Sequence, residues 1–202
     1  RVLFRSQSIA YANHVPAWPM LLTIPNVIRS SFLSSQVFAG LVGTTCILTI
    51  GGAGRAMAGR RVGVVAAFIA ALYPGFWIFG RELMSETLTT TLVAVVILLS
   101  YRFRDEEKMS RAFALGAVSG VLVLSHPDQM LLLFTLLLPL MVWPHEGSGD
   151  LWRRVRYLAA ASVAMLTVIT PWVVYNNLRF SEPVVLRSEE HTSELQSPYV
   201  IS

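Results

Sequence analysis

The feature that most constrains this chain is a series of apolar stretches, each close to the length of a membrane crossing. The stretch 30–54 contains no Asp, Glu, Lys or Arg, and five further uncharged runs follow it. A helix needs about 20 mostly apolar residues to cross the hydrocarbon core of a bilayer. The runs predict six spans, near residues 36–57, 62–80, 83–101, 112–125, 129–144 and 157–178. The predicted fold class is therefore all-α, a polytopic transmembrane helical bundle whose short, proline-containing spans are tilted or broken.

The composition agrees with a membrane protein. Hydrophobic residues make up 54% of the chain and charged residues 14%, whereas a typical soluble domain has about 25% charged residues. These proportions exclude a disordered chain, a nucleic-acid-binding domain and an ordinary soluble enzyme. The single cysteine, Cys46, excludes a disulfide framework and a cysteine-based metal site. We expect the lipid bilayer as a partner, and no nucleic acid.

The cations between the predicted spans alternate, which predicts an orientation. One set of loops carries Arg55, Arg60, Arg61, Arg102, Arg104, Lys108, Arg111, Arg153, Arg154 and Arg156. The opposite set carries only Arg29, Arg81 and Arg179. Because cytoplasmic loops are enriched in Lys and Arg, the first set is predicted to be cytoplasmic. Both ends of the native segment then lie on the extracytoplasmic face, and we expect a multi-pass protein of the plasma membrane.

The two termini read as sequence that does not belong to the protein. Residues 187–198 spell RSEEHTSELQSP, and residues 1–6 spell RVLFRS. We interpret both as in-frame translations of a sequencing adapter, and such segments are set aside before the fold is considered. The expected division is therefore 1–6 artefact, 7–186 native fragment of a transmembrane domain, and 187–202 artefact.

Ionisable residues gather at the predicted outer ends of the spans. Placing an ionisable side chain in or near the membrane is energetically costly, so each one is a candidate functional residue. Arg81, Glu82 and Glu86 open the third span. The two acids are four residues apart, and this spacing places them on one face of a helix. Two readings stay open for the acids. They complement the helix dipole, or they position a sugar hydroxyl, a phosphate or a divalent cation.

Further polar residues are predicted on the same side. His126 and Asp128 flank Pro127 between the fourth and fifth spans; Asp128 is read either as a helix cap or as a site residue. His14 and Trp18 precede the first span, in a segment expected to lie on the membrane with Trp18 at the headgroup level. The concentration of these ionisable residues on one side of the predicted membrane predicts that any chemistry occurs on the extracytoplasmic face.

Two motifs are read as structural. The asparagine pair at 176–177 is expected to form a helix C-cap at the end of the sixth span. Small residues in the fourth span, including Gly116 and Gly120, are expected to let two helices approach closely.

With these motifs in place, the chain resembles the C-type (GT-C) multi-spanning membrane glycosyltransferases, which include dolichyl-phosphate-mannose-protein mannosyltransferase-like and aminoarabinose-transferase-like proteins. The likeness covers nearly all of 7–186. It rests on the segments AMAGRRVGVVAAFIAALYPGFWIFGRELMSETL, RFRDEEK, GAVSGVLVLSHPDQMLLL and PWVVYNNLRFSEPVVL.

The resemblance implies glycosyl transfer from a polyprenyl-phosphate-linked sugar to an acceptor hydroxyl. It assigns Arg81 and Glu86 to the face that meets the lipid donor, with a divalent cation at Glu86 as an open alternative. His14 matches the histidine of a His-Pro-Pro element that approaches the donor phosphate, and His126 with Asp128 stands where such families have another contact. In such families the general base is an acidic residue in the first outer loop. The resemblance implies that this residue lies upstream of Gln7, so the fragment alone is expected to be inactive.

Two other functions are compatible with the same pattern. Secondary transporters and permeases also use broken helices and ionisable residues in the membrane. A non-catalytic, lipid-binding membrane subunit is the second alternative, because the resemblance implies a catalytic acid that the chain does not show.

Overall fold

A computed structural model describes residues 16–28, 31–142 and 150–179, and every regular element in these ranges is a helix. In chain order these are α1 (Ala17–Ile28), α2 (Phe32–Ala58), α3 (Arg60–Leu72), α4 (Pro74–Arg81), α5 (Glu86–Asp105), α6 (Met109–Ser125), α7 (Gln129–Val142) and α8 (Leu151–Arg179). The adapter-like termini and His14 lie outside the described residues. The predicted all-α helical membrane bundle is confirmed.

Each predicted span coincides with a helix or, in one case, with a bent pair of helices. By length and composition, α2, α5 and α8 suffice to cross a membrane, and α3 with α4 makes a fourth candidate that bends by 53°. The helices α6 and α7 are apolar but shorter. At 14 residues, α7 is about 21 Å long, which is less than the roughly 30 Å hydrocarbon core.

The bend between α3 and α4 follows from the sequence Tyr73-Pro74. A proline disfavours the helical conformation of the residue before it, and Tyr73 is accordingly extended, with φ −72° and ψ 115°. Pro74 then occupies the first turn of α4, where its missing N–H costs nothing. The second predicted span is therefore two helices.

The packing of the bundle is that of a membrane protein. Its buried interior contains small polar side chains such as Ser100, Ser119 and Ser125, while large apolar side chains such as Leu131 and Phe134 are 72% and 57% exposed. The expected close approach at the fourth span is confirmed, because a Cβ added to Gly116 would lie 2.0 Å from the carbonyl oxygen of Ala161 on α8.

The bundle has two chemically different ends. We call the end formed by residues 59, 106–108 and 150 the Arg111 end, and the opposite end, formed by residues 80–89, 125–128 and 172–176, the Glu86 end. At the Arg111 end, Arg111 donates to Glu106 Oε2 at 2.6 Å, and Tyr157 Oη donates to the Glu107 carbonyl at 2.8 Å. A hydrogen bond from Lys108 is the main reason why the pKa of Glu106 is lowered.

Candidate functional site at the Glu86 end

Three long-range hydrogen bonds assemble the Glu86 end from five helices. The indole N–H of Trp18 on α1 donates to the Leu83 carbonyl at 2.5 Å, and Gln36 Nε2 on α2 donates to the Arg81 carbonyl at 3.1 Å. The hydroxyls of Thr89 on α5 and Ser125 on α6 are 2.8 Å apart. These contacts bring together segments that are far apart in the sequence.

The turn between α4 and α5 corrects one prediction. Helix α4 ends at Arg81 and α5 begins at Glu86, so Glu82 and Glu86 do not share one helical face. The break lies at Leu83, whose φ of 54° is left-handed. Such a conformation costs a non-glycine residue about 1–2 kcal/mol, and the hydrogen bond from Trp18 together with packing against the apolar cluster around Trp18 offsets that cost. Glu82 is left exposed.

Trp18 joins α1 to the rest of the bundle. Its side chain is 5% exposed and packs in a cluster with Ala17, Ala39 and Leu88. Its buried indole N–H is satisfied because it donates to the Leu83 carbonyl. The tryptophan therefore holds α1 against the turn that precedes Glu86, and its level relative to the lipid headgroups stays a prediction.

Glu86 is the first residue of α5 and is half-buried. Its Oε2 atom lies 3.4 Å from the hydroxyl of Ser85. A carboxylate in the first turn of a helix is stabilised by the dipole. Arg81, which is exposed, lies at the same end of the bundle.

His126 and Asp128 form the neighbouring turn, between α6 and α7. The backbone N–H of His126 ends α6 by donating to the Leu122 carbonyl at 2.9 Å. Asp128 Oδ2 lies 3.4 Å from His126 Nδ1, which is long for a hydrogen bond. Thr89 lies about one helical turn after Glu86 on α5. Its hydrogen bond to Ser125, the last residue of α6, therefore holds the loop of His126 and Asp128 close to Glu86. The structure thus brings Arg81, Glu86, His126 and Asp128 to one end.

Buried polar atoms without a hydrogen-bond partner also collect at this end. Within the described residues they are Thr87 Oγ1, His126 Nδ1, Trp172 Nε1 and Asn176 Nδ2. Gly120 on α6 faces Met165 and Val168 on α8. Continuing this parallel register places the end of α6 at about the level of Trp172, with Asn176 about one helical turn farther along α8. Buried polar groups are nearly always satisfied by protein, water or ligand, so these atoms are free to meet water or a polar ligand.

Asn176 corrects the helix-cap prediction. It lies inside α8 rather than beyond its last turn, and it is 1% exposed. The sequence signal for it was the spacing of Trp172 and Asn176, four residues apart on one helical face, but a cap explained the asparagine equally well. No sequence pattern indicated that the hydroxyl of Thr87 would be buried without a hydrogen-bond partner.

The described residues do not assemble a metal site. Groups of three or more His, Cys, Asp or Glu side chains able to hold a metal ion are absent from 16–28, 31–142 and 150–179. Within these ranges Glu86 has no set of companion ligands of the kind that a divalent cation requires, and a cation at Glu86 stays an open alternative.

Comparison with known proteins identifies the family. The family model described as dolichyl-phosphate-mannose-protein mannosyltransferase matches residues 13–175. No curated protein and no solved structure matches the chain. The matched segment is most of the chain and includes every helix of the bundle except the last residues of α8. The chain is an integral membrane protein of the glycosyltransferase type and belongs to the dolichyl-phosphate-mannose-protein mannosyltransferase family.

Proposed function

We propose that the Glu86 end binds a polyprenyl-phosphate-linked sugar, and that the intact protein transfers this sugar to an acceptor hydroxyl on the extracytoplasmic face of the plasma membrane. The observation that carries the proposal is the meeting of Arg81, Glu86, His126 and Asp128 with unpartnered buried polar atoms at one end of an apolar bundle. Family membership supports the transferase class.

The polyprenyl chain and the phosphate of the donor are proposed to contact different parts of the protein. The polyprenyl chain stays in the bilayer beside exposed apolar helix faces, while its phosphate reaches Arg81 and His126 at the surface. A guanidinium binds phosphate oxygens with charge-assisted hydrogen bonds and stabilises the leaving phosphate as its negative charge develops. Glu86 accepts hydrogen bonds from sugar hydroxyls. Activation of the acceptor hydroxyl is general-base chemistry, and we assign the residues of the Glu86 end to binding of the donor.

Binding of a polyprenyl phosphate to the purified chain in nanodiscs tests this proposal. We expect saturable binding that Arg81→Gln weakens at least about tenfold, because a hydrogen bond to a charged group contributes about 1.5–3 kcal/mol. The matched control is Arg104→Gln, which removes the same charge from an exposed position near the other end of α5.

The two variants separate a specific site from general attraction to an anionic lipid. Equal weakening by Arg81→Gln and Arg104→Gln, or no saturable binding by the unchanged chain, would contradict a donor site at the Glu86 end.

A further inference from the structure

Two side chains near the C-terminal end of α8, Trp172 and Asn176, have no part in the proposed binding of the phosphate. Trp172 and Asn176 are four residues apart in α8 and therefore lie on one helical face. Asn176 is 1% exposed, and the Nε1 atom of Trp172 is buried with it at this end of the helix.

Both side chains leave a buried hydrogen-bond donor unused. Other polar side chains on α8 satisfy themselves locally: Thr170 donates to the Leu166 carbonyl at 2.6 Å, and Asn177 donates to the Val173 carbonyl at 3.0 Å. Trp172 Nε1 and Asn176 Nδ2 have no partner. An unsatisfied buried polar group costs about 1–3 kcal/mol, so two of them on one face favour binding of a group that supplies acceptor oxygens.

The chemistry of the pair favours an uncharged ligand. An indole N–H and a carboxamide NH₂ are neutral donors, and a buried phosphate would need a cation. The rings of Trp172 and Tyr175 stack with centroids 5.6 Å apart and offer flat apolar surface beside the donors. Hydroxyl and ring oxygens next to C–H faces are what a sugar presents.

We propose that Trp172 and Asn176 form the subsite for the sugar of the lipid donor, with the N–H groups donating to sugar oxygens. This inference rests on the proposed function and deepens it. The phosphate contacts Arg81 and His126 across the same end, and the sugar extends from it toward α8.

Two lipids and two variants test the subsite. Polyprenyl-phosphate mannose and sugar-free polyprenyl phosphate are titrated into the chain in nanodiscs, with Asn176→Leu as the variant and Asn177→Leu, at an exposed neighbouring asparagine, as the control. We expect Asn176→Leu to weaken binding of the mannose lipid about tenfold and to leave binding of the sugar-free lipid unchanged. Asn177→Leu is expected to leave both affinities unchanged.

The ligand-free stability of the variant provides an independent readout. Replacing an unsatisfied buried amide with an apolar side chain of similar size is neutral or stabilising, so the melting temperature of Asn176→Leu without lipid is expected to stay the same or rise. A lower melting temperature, or equal binding of the mannose lipid by Asn176→Leu and the unchanged chain, would overturn the sugar subsite. Absence of binding by both lipids would overturn the proposed function as well.

Discussion

Replacing Glu86 with glutamine is expected to abolish sugar transfer by the full-length protein while its expression and membrane insertion stay normal. The carboxylate is half-buried at the first position of α5 and accepts hydrogen bonds from the sugar in the proposed arrangement. An amide of the same shape is a weaker acceptor and turns one oxygen position into a donor.

The matched control for this change is Glu82→Gln. Glu82 carries the same charge and lies four residues away, but it is exposed in the turn between α4 and α5. We expect its variant to retain transfer within about threefold of the unchanged protein, because an exposed acid contributes little. Undiminished transfer by Glu86→Gln, measured with a radiolabelled lipid-linked sugar, would remove Glu86 from the site.

Replacing Gly116 with alanine is expected to disrupt the packing of α6 against α8. The added Cβ would lie 2.0 Å from the carbonyl oxygen and 2.6 Å from the Cα atom of Ala161. Both are backbone atoms, so no side-chain rotation relieves the clash and the two helices must separate. We expect a loss of about 3 kcal/mol of stability, at the upper end of the cost of overpacking.

The control for Gly116→Ala is the same substitution at Gly40 on α2, where an added Cβ meets no heavy atom within 4 Å. There the change is expected to stabilise the helix by up to about 1 kcal/mol, because alanine is a better helix former than glycine. The melting temperatures of both variants in detergent check this pair. A Gly116→Ala protein as stable as the Gly40→Ala protein would show that α6 and α8 do not pack as described.

The positions of the helices could be predicted because hydropathy and charge act over about 20 residues at a time. The predicted span 129–144 matches Gln129–Val142 closely, whereas 83–101 began three residues before the helix Glu86–Asp105. That offset comes from the left-handed Leu83, a conformation that tertiary contacts impose and that no local propensity indicates.

The site could be predicted only in outline. Charge asymmetry placed Arg81, Glu86, His126 and Asp128 on one side, and the structure brings them to one end. The burial of Asn176 was missed, because whether an amide is capped, exposed or unpartnered depends on neighbours that the sequence does not reveal. The fastening of α1 was missed for the same reason, since the Trp18–Leu83 hydrogen bond joins residues 65 positions apart.

The proposed function requires that the Glu86 end faces the exterior, where it meets a lipid-linked sugar. Labelling of intact cells with a membrane-impermeant maleimide tests it most directly, because the one native cysteine, Cys46, is buried. Asp128→Cys and Lys108→Cys place thiols at exposed positions, with 79% and 56% of the native side chains accessible. We expect the thiol at 128 to react in intact cells and the thiol at 108 only after permeabilisation. The reverse pattern would place the Glu86 end in the cytoplasm and contradict the account.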